Sequence, residues 1–212
     1  QRYLHRVRAL AQKHPDWTFC SYTAAVIYGL SVSHADLTHI HIAVAPAQST
    51  TPGSQVVRHR YVRQTRATQM DIAVTDIDQT ITDCLVDASF VEGLIIADSA
   101  LHEQLLSKEH LVEAVNKLGL NRRGVVTARR VARYADGLSE SGGESKARAL
   151  MIERGWQTPE LQIELFDPVE PGRPYRVDYL WRVEDRLIIG EFDGFVKSEK
   201  AAEEGKLAKA QF

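Results

Sequence analysis

Apolar residues recur with two different periods along the chain, and the points where the period changes divide it into elements. In RYLHRVRALAQKH, Leu4, Val7, Leu10 and Ala11 fall on one helical face with Arg2, Arg6 and Lys13 elsewhere, which predicts a helix ending before Pro15. SYTAAVIYGL reads as a short helix with Ser21 as its cap and Gly29 as its stop. THIHIAVA alternates cleanly and predicts a strand; QVVRHRYV, beyond the polar loop PAQSTTPGS, is its natural partner in a wide hairpin. DIAVTDI is a third short strand. Three helix-period segments follow, TITDCLVDAS, FVEGLIIADSALHEQL and SKEHLVEAVNKLG, and then a further helix in NRRGVVTARRVARYADG.

The Gly- and Ser-rich stretch DGLSESGGE at 136–144 is the best boundary in the chain, and it predicts a first domain over 1–137 and a second over 138–212. After it the pattern changes to a helix, ESKARALMIERG, and three strand-like runs, LQIELF, YRVDYLW and RLIIGEF. A helix followed by a three-strand meander is an α+β signature, and the first part, with its hairpin and helices, is α+β as well.

Composition narrows the class. The chain has 212 residues, 44% of them apolar and 25% charged, which excludes disorder, collagen and coiled coil. No apolar run approaches a membrane span and no leader pattern opens the chain, so a cytoplasmic protein without a membrane partner is expected. Cys20 and Cys84 have no partner at disulfide-framework or zinc-ligand spacing. A chain that opens at Gln1 within a helical pattern reads as a piece of something longer. The formal net charge of −2 argues against a nucleic-acid partner until it is resolved by segment. Residues 1–70, 71–120, 121–155 and 156–212 carry +6, −8, +4 and −4, so the neutral total hides alternating charged zones.

The candidate chemistry rests on strand register. If Glu184 and Asp185 close a hairpin, Val183 faces Arg186 and Asp178 lies directly opposite Glu191. Like charges so placed oppose folding, and Asp193, two residues on, projects to the same face. Hard oxygen ligands of this kind suit Mg²⁺ or Mn²⁺, which would relieve the repulsion and activate a water for phosphodiester hydrolysis.

Glu144 in GGESKAR, Asp178 in RVDYLW and Glu191 in GEFDG together resemble the PD-(D/E)XK nuclease superfamily, and the EFDG tail and ESxxR helix are most similar to its very-short-patch-repair-related branch. The resemblance covers about residues 140–212. It implies a restriction-endonuclease-like α-β-β-β core, either truncated here at its C-terminal end, the sheet being completed by residues absent from this chain, or reduced as a fold, with Asp178, Glu191 and Asp193 as metal ligands and Glu144 orienting or sharing the metal. The lysine of Glu-x-Lys is replaced by Asp193, so either a relocated cation, Lys197 or Lys200, assists the attacking water or none does.

The first domain, through TAAVIYGL, HIAVAP and VTDIDQTITDCLVDASFVEGLIIADSAL, resembles the body of abortive-infection-type type IV antitoxins, in which a winged helix-turn-helix usually precedes this body. That implies DNA as a partner and a cognate toxin as a second one. The sequence carries no signal of oligomeric state. The rival to an endonuclease is therefore a non-catalytic DNA-binding regulator or antitoxin that retains the nuclease-like sheet. A nucleotidyltransferase is disfavoured because Asp76-Ile77-Asp78 follows VT with no Gly-Ser before it.

Several of these residues have plainer explanations. Ser141-Gly-Gly-Glu144 is also a capping box, and Asp193 before Gly194 is also a turn. Arg148 is expected in an exposed i,i+4 pair with Glu144. His39 and His41 share a strand face without a third metal ligand nearby in sequence. Arg122, Arg123, Arg129, Arg130 and Arg133, with Arg58, Arg60, Arg63 and Arg66, could track phosphates or simply be solvated. Trp17, Trp156 and Trp181 are expected in the core.

Overall fold

The structure, a computed structural model, describes residues 2–33, 37–46, 55–61, 65–166, 172 and 174–193. It is α+β, with seven helices, a mixed five-stranded sheet and a three-stranded sheet among those residues. The chain divides into two compact units, 1–149 and 150–212. No helix among the described residues is long and apolar enough to cross a membrane.

In the first unit, α1 (Arg2–Lys13) precedes β1 (Thr18–Phe19), α2 (Ser21–Ile27), β2 (Ile40–Val44), β3 (Val56–Arg60), β4 (Ala67–Gln69) and β5 (Ile72–Val74). The sheet order is β3-β2-β1-β5-β4. Alternation in β2 sends Ile40, Ile42 and Val44 into a core with Val7 of α1, Phe19 and Val74, while His41 and Ala43 take the other side. The hairpin expected from THIHIAVA and QVVRHRYV does not form: β2 and β3 pair in parallel, Ile40 with Val56 through Val44 with Arg60. Eleven residues, 45–55, separate the two strands in sequence, about the length that a parallel pairing requires. The α2 stop at Gly29 is left-handed, φ +86, but its N-cap is Cys20 rather than Ser21.

Four helices follow: α3 (Ile77–Asp87), α4 (Phe90–His102), α5 (Lys108–Leu118) and α6 (Val125–Tyr134). The first three start on side-chain caps, Asp76, Ser89 and Ser107, each accepting a backbone N–H three residues on. The fourth starts at Gly124, whose φ of +88 and whose approach to Val86, where an added Cβ would lie 1.9 Å from the carbonyl oxygen, exclude any side chain. The α6 helix packs against α4 and α5 through Ala128, Val131 and Ala132.

The division between units falls after Ala149, inside α7 (Gly142–Glu153), rather than after Gly137. Arg148 lies on the first-unit side of that division. It is fully buried, not the exposed partner of Glu144, and it pairs with Asp98 of α4 at 2.6 Å while donating to the Tyr134 carbonyl at 2.8 Å. Those bonds tie the first two turns of α7 to the helical part of the first unit.

The second unit holds an antiparallel meander, β6 (Glu160–Leu165), β7 (Tyr175–Val183) and β8 (Arg186–Gly190), in that spatial order. Leu161, Val177, Tyr179, Leu180 and Trp181 are buried; Leu187, Ile188 and Ile189 on β8 stay about half exposed. Trp156 departs from its expected place in the core: it is 58% exposed and packs edge-on against Trp181.

Candidate functional site

The β7–β8 hairpin builds the site. Val183 pairs with Arg186, and the ladder runs on to Tyr179 and Gly190 in the register expected from the sequence. Glu184 takes a φ of +52, the left-handed backbone that a two-residue hairpin turn demands of its first central residue, so the right-handed twist of the strands prevails over the poor fit of a Glu-Asp turn. One step beyond the last ladder pair lie Asp178 and Glu191. The Phe192 N–H donates to Asp178 Oδ2 at 2.8 Å, which keeps the chain beside β7 after β8 has ended.

Two further side chains hold the carboxylates. Gln162 Nε2 lies 3.4 Å from Asp178 Oδ1, and the Tyr175 hydroxyl donates to Glu191 Oε1 at 3.3 Å. Burial raises the pKa of Glu191, the Asp178 charge raises it further, the Tyr175 bond opposes both, and Asp193 adds a smaller upward push. The phenol of Tyr175 is raised chiefly by the Glu191 charge. Asp178 and Glu191 are thus brought together, with Asp193 close enough to be felt. Among the described residues no group of three or more His, Cys, Asp or Glu side chains is placed to hold a metal ion, so Asp193 is not drawn in as a third ligand beside Asp178 and Glu191.

Glu144 belongs to the first unit and caps α7. Its Oε1 accepts from the Ser141 hydroxyl at 2.8 Å, its Oε2 accepts from the Glu140 N–H at 2.9 Å, and its own N–H donates to Ser141 at 3.2 Å. Lys197 and Lys200 lie outside the described residues, as does Arg63.

The arginines separate into two kinds. Arg122 is committed to Asp83, a carboxylate only 2% exposed, at 2.5 Å. Arg129 Nε donates to Asn116 Oδ1 at 2.9 Å, Arg130 lies 4.0 Å over the Phe90 ring, and Arg133 sits 5.8 Å from the Tyr134 ring centre. Arg123 is exposed.

Two polar clusters of the first unit, both at least half-buried, bring together residues that the sequence does not pair. His41 Nδ1 and His59 Nε2 are 2.8 Å apart on the paired strands β2 and β3. The Tyr61 hydroxyl donates to Asp83 Oδ2 and Gln79 Nε2, one turn earlier on α3, donates to Asp83 Oδ1 at 2.9 Å, so with Arg122 three groups bond Asp83. Gln162 and Tyr175 were missed as well. The place of Gln162 opposite Asp178 depends on the β6–β7 register, which no short symmetric turn fixes in the sequence, whereas Tyr175 lies on β7 itself and reaches Glu191 on the β8 side.

No family model matches the chain. Two uncharacterized proteins from two strains of Mycobacterium tuberculosis, MT2308 and Rv2248, are each 28% identical to it over 174 residues, covering 82% of this chain and 61% of the relative. The chain therefore spans about three fifths of the length of the curated relatives it matches.

Proposed function

We propose that Asp178 and Glu191 form a divalent-cation site with which the second unit hydrolyses phosphodiester bonds in DNA, as the resemblance to PD-(D/E)XK endonucleases implies. The observation that carries this reading is the hairpin register, which sets two carboxylates side by side and orients each with its own hydrogen bonds. Their chemistry fits Mg²⁺ or Mn²⁺, which prefer carboxylate and water oxygens, and a cation there would offset the repulsion that raises Glu191. When bound, such a cation supplies polarisation of a phosphoryl oxygen and a lowered pKa for water. The chain's own contribution is orientation: the Phe192 N–H and the Gln162 amide fix the plane of Asp178, and the Tyr175 hydroxyl holds one oxygen of Glu191. An enzyme acting on DNA in this way would work in the cytoplasm.

Supercoiled plasmid incubated with the full chain and Mn²⁺ or Mg²⁺ should be nicked, and Asp178→Asn and Glu191→Gln should each abolish nicking while still unfolding in one cooperative transition. Cation-dependent nicking that survives both substitutions contradicts the reading. Asp193 in place of the usual lysine favours a second reading, a non-catalytic DNA-binding regulator or antitoxin with a cognate toxin as partner. That reading expects DNA binding and no nicking with either cation.

A further inference from the structure

The exposed face of α6 is built differently from the other charged surfaces of the first unit. Its buried side is Ala128, Val131 and Ala132; its outward side is Val126, 78% exposed, followed by Arg129, Arg130 and Arg133. These positions lie three and four residues apart, so they form one stripe along the helix. No Asp or Glu occurs between Asn121 and Tyr134, a stretch that holds five arginines.

What distinguishes the stripe is the kind of partner each arginine has. Arg122 and Arg148 are spent on the carboxylates of Asp83 and Asp98. Arg129 is held by the Asn116 amide oxygen, Arg130 by the Phe90 ring and Arg133 by the Tyr134 ring, and none of the ion pairs found among the described residues involves these three. Neutral partners orient a guanidinium without cancelling its charge. A guanidinium lying over an aromatic ring keeps its N–H edges free to donate outward, and one bonded through Nε keeps both terminal nitrogens for a phosphate. The orienting partners belong to α4, α5 and α6 itself, so rigid elements set the positions of the charges.

We infer that the Arg129, Arg130 and Arg133 stripe of α6 is a docking surface for the phosphate backbone of duplex DNA, with Val126 at its N-terminal end as an apolar contact. Arg129 to Arg133 span about 6 Å of the helix axis, which lets neighbouring guanidiniums reach adjacent phosphates of one strand, spaced about 3.4 Å along the duplex axis. The stripe belongs to the first unit, so this inference stands whether or not the second unit cleaves DNA.

The test is the salt dependence of binding of the full chain to a labelled duplex, followed by fluorescence anisotropy. Each phosphate contact contributes about 0.9 to the slope of log affinity against log salt concentration. The Arg129→Ala/Arg130→Ala/Arg133→Ala variant should lower that slope by about 2 to 3. Arg2→Ala/Arg8→Ala/Lys13→Ala, which removes the same formal charge from exposed positions of α1, should leave the slope unchanged. Replacing the three α6 arginines by lysine keeps the charge and should restore most of the slope, which separates a lost contact from a lost fold. Equal effects of the two alanine variants, no duplex binding by the unsubstituted chain, or an α6-dependent preference for single-stranded RNA would each overturn the inference.

Discussion

His41 and His59 share a hydrogen bond that two imidazolium ions could not make, and their environment enforces neutrality. Burial pushes His41 down to about 4, with His59 and His39 adding to the effect, and burial also lowers His59. In the unfolded chain both titrate near the ordinary value of about 6.5. Between these values the folded state binds fewer protons than the unfolded one, so stability rises with pH through that window. It is fully present above the unfolded value and is lost as pH falls towards about 4. Thermal unfolding of the full chain followed from pH 7 to pH 4 should show a loss on the order of 2 kcal/mol that is reduced in His41→Gln. An identical pH profile in that variant would contradict it. The HIHIA alternation made His41 legible as a strand residue. Its partner was not legible, because a parallel pairing over a long connection leaves no local mark in the sequence.

Among the elements, α7 shows the same division between local and distant causes. Its start could be read directly, since Ser141 and Glu144 cap one another within a single turn. Arg148 could not be placed, because the carboxylate that buries it is 50 residues away in sequence. Burial raises the pKa of Asp98, while the charge and hydrogen bond of Arg148 and the Asp136 N–H pull it back down, so the two side chains are stable inside only as a pair. Removing one partner should therefore cost more than removing a cap: Arg148→Ala about 3–5 kcal/mol, and Glu144→Ala about 1 kcal/mol. Urea unfolding curves of the two variants measure both, and equal costs would count against a structural role for the buried pair. The helices of the first unit were legible because their apolar period runs for three turns. The two- and three-residue strands β1 and β4 were not, because neither lies in an alternating apolar run like the DIAVTDI that marks the equally short β5.

For the molecule as a whole, the net charge of −2 is a cancellation between separate surfaces. The +4 of residues 121–155 contains the α6 arginines that are oriented without being neutralised, whereas Asp178 and Glu191 face one another within the −4 of residues 156–212. The hairpin was the most legible long-range feature of the chain, since a two-residue turn fixes every pair above it. The parallel β2–β3 pairing and the β6–β7 register, both set by longer connections, were the least. The most direct test of the cation site is the thermal midpoint of the full chain under rising Mn²⁺, compared with Glu191→Gln. The unsubstituted chain should gain stability logarithmically with the cation, about 2.7 kcal/mol at one hundred times the dissociation constant. Glu191→Gln should begin higher by about 0.2–1 kcal/mol, because one of the two opposed charges is gone, and should not respond to the cation. A midpoint indifferent to Mn²⁺ in the unsubstituted chain, or an equal rise in both proteins, would contradict the site.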